Sequence, residues 1–255
     1  MSDAELTVRV DGPVATVVIH NPARRNAMTP AMWRQLPVLL DGLEADPAVR
    51  VLVLTGAAGT FCAGADLGDL DELLAAGDGS IAVAAEERLA AFGRPTVAAI
   101  EGACVGGGCQ LAVACDLRLA SAEARFGVPP ARLGLVYPAL TTRRLAALVG
   151  PSAAKHLLFS SELVDAERAL RIGLVDEVLP AGELAGRVTT LTATIAERSR
   201  LTVAAAKEIV DGRADADRLA WWHAQVRDSG EAREGVAAMN ERRPPRFGWT
   251  PPTAH

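Results

Sequence analysis

Apolar and polar residues alternate along residues 6–10 and 14–20, on either side of Asp11-Gly12. Period-two alternation around an Asp-Gly pair predicts a β-hairpin. Thr29-Pro30 then opens a stretch of helical period that runs to about residue 44. Thr29 suits the N-cap and Pro30 the first helical position, where a missing N–H costs nothing. Residues 49–55 and 95–100 are apolar without alternation, the pattern of strands covered on both faces. Helical spacing returns over 80–92 and in the short apolar run 109–115, and 117–120 reads as a further strand. Beyond residue 181 the pattern is helical only, over 184–199, 202–211, 215–227 and 231–240. The proline-rich end, 242–255, reads as an extended tail. Strands alternating with helices predict an α/β fold with a largely parallel sheet. The change of pattern divides the chain into a core, residues 1–196, and a helical C-terminal region, residues 197–255.

Composition narrows the function classes. The chain has 255 residues, half of them apolar, which is enough to bury a sizeable core. A net charge of −5 and 4% aromatics argue against a nucleic-acid binder. Only Lys155 and Lys207 break the use of Arg as the basic residue, read as base composition of the genome. No apolar run is long enough to span a membrane, and the first residues are acidic where a signal peptide is basic. Cys62, Cys104, Cys109 and Cys115 lie in apolar, glycine-rich sequence without metal-ligand spacing, which fits buried thiols in a reducing cytoplasm. No metal site is expected. His20, His156, His223 and His255 are scattered, and none is read as catalytic.

Two glycine-rich segments each follow a strand: Gly59 to Leu67, and Glu101 to Gln110, in which 102–108 reads as a loop containing Gly106-Gly107-Gly108. Neither carries a dinucleotide fingerprint or a phosphate loop. The plain reading is a tight strand-to-helix turn. The functional reading is close approach of backbone to ligand. The Gly107 N–H then stands at the start of the 109–115 helix, where unpaired donors and the helix dipole favour negative charge. A second N–H near Ala65 completes a two-donor oxyanion hole for a thioester carbonyl.

These segments also carry a resemblance. Pro22-x-x-x-Asn26-Ala27, Phe61-Cys62-Ala63-Gly64-Ala65-Asp66-Leu67, Gly102-x-x-x-Gly106-Gly107-Gly108-Cys109, Cys115-Asp116-Leu117-Arg118 and Ala169-x-x-x-Gly173-Leu174-Val175 occur in this order. Together they resemble the enoyl-CoA hydratase/isomerase (crotonase) superfamily over residues 15–180. The resemblance implies a spiral of ββα units and a helical C-terminal region that builds a homotrimer or a dimer of trimers. It implies an acyl-CoA thioester as ligand, with coenzyme A entering only as part of the substrate and no further cofactor. It assigns the thioester oxygen to the N–H groups of Ala65 and Gly107. It places Ala63, Ala65, Asp66, Leu67 and Gly68 along the CoA moiety, gives Arg24 or Arg25 to its phosphates, and makes Asp116 structural.

The chain departs from the hydratase pattern at two positions. The family's hydratases resemble one another in a pair of glutamates; at the matched positions stand Gln110 and Pro130. An amide does not titrate near neutral pH, and proline has no polar side-chain atom. Hydration by the two-carboxylate route is therefore expected to be feeble. Asp66, Asp69, Asp71 and Glu123 are the alternative carboxylates weighed, each read as solvated or structural. Tyr137, the only tyrosine, together with Pro130 and Glu101-Gly102, resembles the methylmalonyl-CoA decarboxylase branch, although that branch keeps glutamate where Gln110 stands. Decarboxylation of a malonyl-type thioester needs no base, and a phenol can orient the carboxylate or protonate the carbanion. Arg143 and Arg144 offer charge for an acidic substrate or an ordinary helix surface. Three readings follow: an enolate-stabilising acyl-CoA enzyme, with malonyl-type decarboxylation as its variant; a non-catalytic acyl-CoA binder; and an assembly module.

Overall fold

The computed structural model describes residues 4–66 and 79–251. β1 (Glu5–Asp11) and β2 (Val14–His20) form the expected antiparallel hairpin, closed where Asp11 pairs with Val14. From β2 the sheet continues in parallel through β3 (Val51–Gly56), β4 (Thr96–Ile100), β6 (Leu117–Ser121) and β9 (Glu177–Leu179). Its order is β1-β2-β3-β4-β6-β9. A second sheet joins β5 (Ala103–Val105), β7 (Arg125–Gly127) and β8 (Val164–Asp165).

The described helices are α1 (Pro30–Ala45), α2 (Ile81–Ala90), α3 (Gly107–Ala114), α4 (Pro130–Leu133) and α5 (Ala139–Ser160). They are followed by α6 (Ala166–Arg171), α7 (Leu184–Ala196), α8 (Arg200–Val210), α9 (Ala216–Ser229) and α10 (Glu231–Asn240). Thr29 caps α1 as expected, its Oγ1 accepting from the Met32 N–H at 3.3 Å. α5 bends at Gly150-Pro151, where Gly150 takes φ 78°. None of these helices is long and apolar enough to cross a membrane.

The unbroken apolar run of β3 is explained by its two faces. Leu52 and Leu54 enter the main core with Trp33, Leu36 and Leu40 of α1. Val51 and Val53 join Val97 and Leu119 beneath Leu184 and Val188 of α7. At about 25 cal/mol per Å² of apolar surface, burial on both faces makes this strand a principal source of stability.

Two local expectations are corrected and a third gains detail. The stretch 102–108 is not all loop, because Ala103–Val105 forms β5, tied to Cys62 by bonds from the Cys62 N–H to Ala103 O and from the Val105 N–H to Cys62 O. The helix expected over 184–199 ends at Ala196, because Ser199 caps α8, accepting from the Thr202 N–H at 3.0 Å. The tail has no regular structure through residue 251, yet it is pinned: Trp249 donates through N–H to Glu231 and through Nε1 to Gln225.

Candidate active site

Two backbone donors converge where the glycine-rich segments meet. Ala65 forms a parallel bridge with Met28, in which the Met28 N–H donates to Gly64 O and the Asp66 N–H donates to Met28 O. A strand residue between two such bonds turns its own N–H to the other side. On that side lies Gly107, the first residue of α3, whose N–H has no acceptor inside the helix. A Cβ placed on Gly107 would stand 3.4 Å from the Ala65 N, and one on Gly64 would stand 3.6 Å from the Gly107 N. Neither N–H has a backbone acceptor among the described residues. Gly106 makes the turn into α3 with φ 56° and ψ −123°, a conformation that favours glycine. Gly108 has a different reason: a Cβ there would meet the Cys62 carbonyl oxygen at 2.3 Å, so only glycine lets α3 dock on that segment.

The donors open on a cleft of about 930 Å³, counting its mouth, within the range of small-molecule sites. Its apolar lining includes Trp33, Val83, Val105, Leu135 and Tyr137; Ser80, Glu86 and Gln110 supply polar atoms. Trp33 is buried, and its indole N–H has no partner among the described residues. Tyr137 places its hydroxyl 3.3 Å from where a Cβ on Gly106 would stand. Burial pushes this phenol above its ordinary range, so it stays protonated at neutral pH.

Glu86 was not among the carboxylates considered from sequence. It lies on α2, is 1% exposed, and lines the same cleft. Its Oε2 accepts a bond of 2.6 Å from the Thr141 hydroxyl on α5. Burial pushes its carboxyl up to about 7; the Thr141 bond and the Arg144 charge pull the other way, and Glu87 adds a little to the rise. The Arg144 guanidinium pairs with Glu87. The sequence signal was available: Ala82, Val83, Glu86 and Leu89 share one helical face, so Glu86 stands in the buried stripe of α2.

The remaining candidates fall into groups. Ala63, Gln110 and Tyr137 line the cleft with the two donors. Pro130 is buried at the start of α4, and its neighbour Pro129 is the residue that lines the cleft. Arg24 is exposed and pairs at 2.7 Å with Asp66; Arg25 is exposed in a left-handed turn. Asp116 accepts from the Thr96 N–H and from Lys207 Nζ at 2.8 Å, a structural position between β4 and α8. Glu123 and Arg143 are exposed outside the cleft lining. Leu67, Gly68, Asp69 and Asp71 lie outside the described residues.

This strand order, with its backbone donors at a strand-to-helix turn, defines a crotonase-type α/β protein. A solved enoyl-CoA hydratase/isomerase family member superposes with a TM-score of 0.92 and 36% identity, covering 97% of this chain and 99% of that one. The enoyl-CoA hydratase/isomerase profile matches residues 9–249, and the chain belongs to that family. A Thermus thermophilus protein provisionally named enoyl-CoA hydratase is 38% identical, over 92% of this chain and 98% of its own length. The 2,3-dehydroadipyl-CoA hydratase of Escherichia coli is 34% identical, over 96% and 98%.

Proposed function

We propose that this chain is an acyl-CoA enzyme that stabilises a thioester enolate between the N–H groups of Ala65 and Gly107. The observation that carries the reading is the pairing of those two donors at the floor of an apolar cleft. Negative charge that develops on the thioester oxygen meets fixed dipoles in a site poor in water, and each donor is worth roughly 3–4 kcal/mol there. The acyl chain lies along the apolar lining, and the CoA moiety leaves past Ala63 and the Arg24–Asp66 pair. Coenzyme A comes with the substrate, and no other cofactor is invoked. The helices after residue 197 assemble a homotrimer or a dimer of trimers, and the cytoplasm is the compartment. A monomer mass in solution would overturn the assembly.

Ordinary two-glutamate hydration finds little support, because Gln110 stands in the cleft and Pro130 outside it. Malonyl-type decarboxylation is the second reading, favoured by the Tyr137 hydroxyl beside Gly106. It is weakened by the cleft lining, which holds the Glu86 carboxyl and no Arg or Lys among the described residues to meet a substrate carboxylate. Calorimetry with butyryl-CoA tests the site itself, and turnover of malonyl-CoA, methylmalonyl-CoA and crotonyl-CoA separates the chemistries. Binding without any turnover, including the proton exchange described below, would favour the non-catalytic binder; no binding would overturn the reading.

A further inference from the structure

The cleft holds one carboxyl among its described lining residues, and it belongs to none of the family motifs found in the sequence. Glu86 is carried by the buried face of α2 and is fixed by a hydrogen bond across to α5. One oxygen, Oε2, is committed to Thr141; no described residue donates to Oε1. A carboxyl buried for stability alone is normally bonded through more of its lone pairs. This one has an oxygen without a described donor and lines the same cleft as the N–H groups of Ala65 and Gly107.

We propose that Glu86 is the proton-transferring residue of this site, serving from a new position the migration of a double bond in an enoyl thioester for which the family's isomerases are named. The inference rests on the acyl-thioester site proposed above. With a 3-enoyl thioester bound, the Glu86 carboxylate takes a proton from C2. The C–H electron pair moves into the C1–C2 bond, and the charge spreads over a dienolate whose oxygen lies between the Ala65 and Gly107 N–H groups. The protonated carboxyl then returns the proton to C4. The C3–C4 double bond becomes C2–C3, and Glu86 ends as it began. No water, oxidant or second carboxyl is needed, which suits a chain with Gln110 and Pro130 where a pair of acids would otherwise be sought.

The electrostatic setting fits both halves of the transfer. A carboxyl that titrates close to the working pH can serve as base and then as acid. Burial raises its affinity for protons. The charged groups that act on it are Arg144 from α5, which favours the carboxylate, and Glu87 from its own helix, which opposes it. Tyr137 stands close enough to feel the charge of Glu86. Arg88 is engaged with Asp41 and Glu44 of α1.

Two probes test the proposal with the full-length protein: exchange of the C2 protons of butyryl-CoA in D₂O, and conversion of 3-hexenoyl-CoA to the 2-enoyl isomer. Wild type is expected to do both, with rates that rise with pH through a midpoint near the carboxyl's raised value. Glu86→Gln should slow both by about 100-fold or more, with butyryl-CoA affinity held within about threefold. Thr141→Val removes a bond that favours the carboxylate, so it should move the pH midpoint upward; a merely structural threonine would leave it in place. If wild type binds butyryl-CoA and Glu86→Gln exchanges and isomerises at the wild-type rate, the role of Glu86 is overturned and the acyl-CoA site stands. If wild type binds but does neither reaction, the proton transfer is overturned. If butyryl-CoA does not bind, the site reading fails and the proposal with it.

Discussion

The two sides of the cleft are made of different material. One is main chain: the N–H groups of Ala65 and Gly107, set by the Met28–Ala65 and Cys62–Cys104 bridges and by the start of α3. The other is side chain: Glu86 of α2 and Tyr137 from the segment before α5, with Thr141 of α5 holding Glu86 from behind the lining. The donors survive any substitution that keeps the backbone path. The side-chain wall depends on two helices whose contacting residues are 55 positions apart. On the proposed reading, the contrast separates what a fold can hold constant, stabilisation of charge on oxygen, from what it can vary, the group that moves the proton.

The sharpest way to break the comparison is to delete one donor without its side chain mattering. Gly107→Pro removes the N–H at the first position of α3, where helices accept proline. Gly107→Ala keeps the N–H and brings the same Cβ against Trp33, 3.1 Å away. Proline is expected to cost about 10²–10³ in the rate of C2 proton exchange beyond the cost of alanine. Equal losses in the two variants, measured by deuterium uptake into butyryl-CoA, would mean that crowding and not the donor controls the rate.

The side-chain wall is tested next through stability. The folded protein holds the Glu86 proton more tightly than the unfolded chain does, since burial moves the carboxyl from 4.5 to about 7. Its contribution is therefore fully present below about pH 4.5 and is lost as pH rises through 7. Above that, an ionised carboxyl stays buried at a cost on the order of 3 kcal/mol. Glu86→Gln never ionises. Its melting temperature should gain on wild type between pH 5 and 8, and a gap independent of pH would remove the raised titration.

The backbone turns that bring Ala65 and Gly107 together were legible in the sequence because glycine requirements are local. Gly106-Gly107-Gly108 after an apolar strand already implies a tight turn into a helix, and the Phe61 to Asp66 segment supplies its counterpart. The hairpin, the cap at Thr29 and the two-faced strand β3 were legible for the same reason: each is written within a few neighbouring residues. β5, β8 and β9 were not. They have two or three residues each, too few for a period, and exist only through partners far along the chain. Glu86 escaped for a related reason. A glutamate in a helix is normally a solvated residue. Only the packing of α5 over α2, with Thr141 at the contact, makes this one a buried acid. Pro130 is buried at the start of α4, and its neighbour Pro129 lines the cleft, a difference of one residue set by a turn that the sequence alone does not orient.

Tyr137 sits where the two walls meet, and its expected effect is smaller. A phenol held above its ordinary range is a poor base, so its hydroxyl contributes a hydrogen bond at most. Tyr137→Phe should slow C2 proton exchange less than about tenfold. A loss near that of Glu86→Gln, accompanied by malonyl-CoA decarboxylation in wild type, would shift the chemistry to the tyrosine.

The smallest effect belongs to the rim, where neither wall reaches. Arg24 spends its charge on Asp66 in a pair whose arginine is 60% exposed, so solvent screens whatever it offers to a phosphate. Arg24→Ala should weaken butyryl-CoA binding by only a few fold, and less still at high salt, because screening shortens the reach of an exposed charge to about 8 Å at physiological ionic strength. Asp66→Asn takes away the competing carboxylate and leaves Arg24 in place. If the guanidinium meets the CoA phosphates, this second variant should bind slightly tighter than wild type, opposite in sign to the first. Two weakened variants in the same titration would instead assign the pair to holding the Ala63 to Asp66 segment, and so to the position of the Ala65 donor.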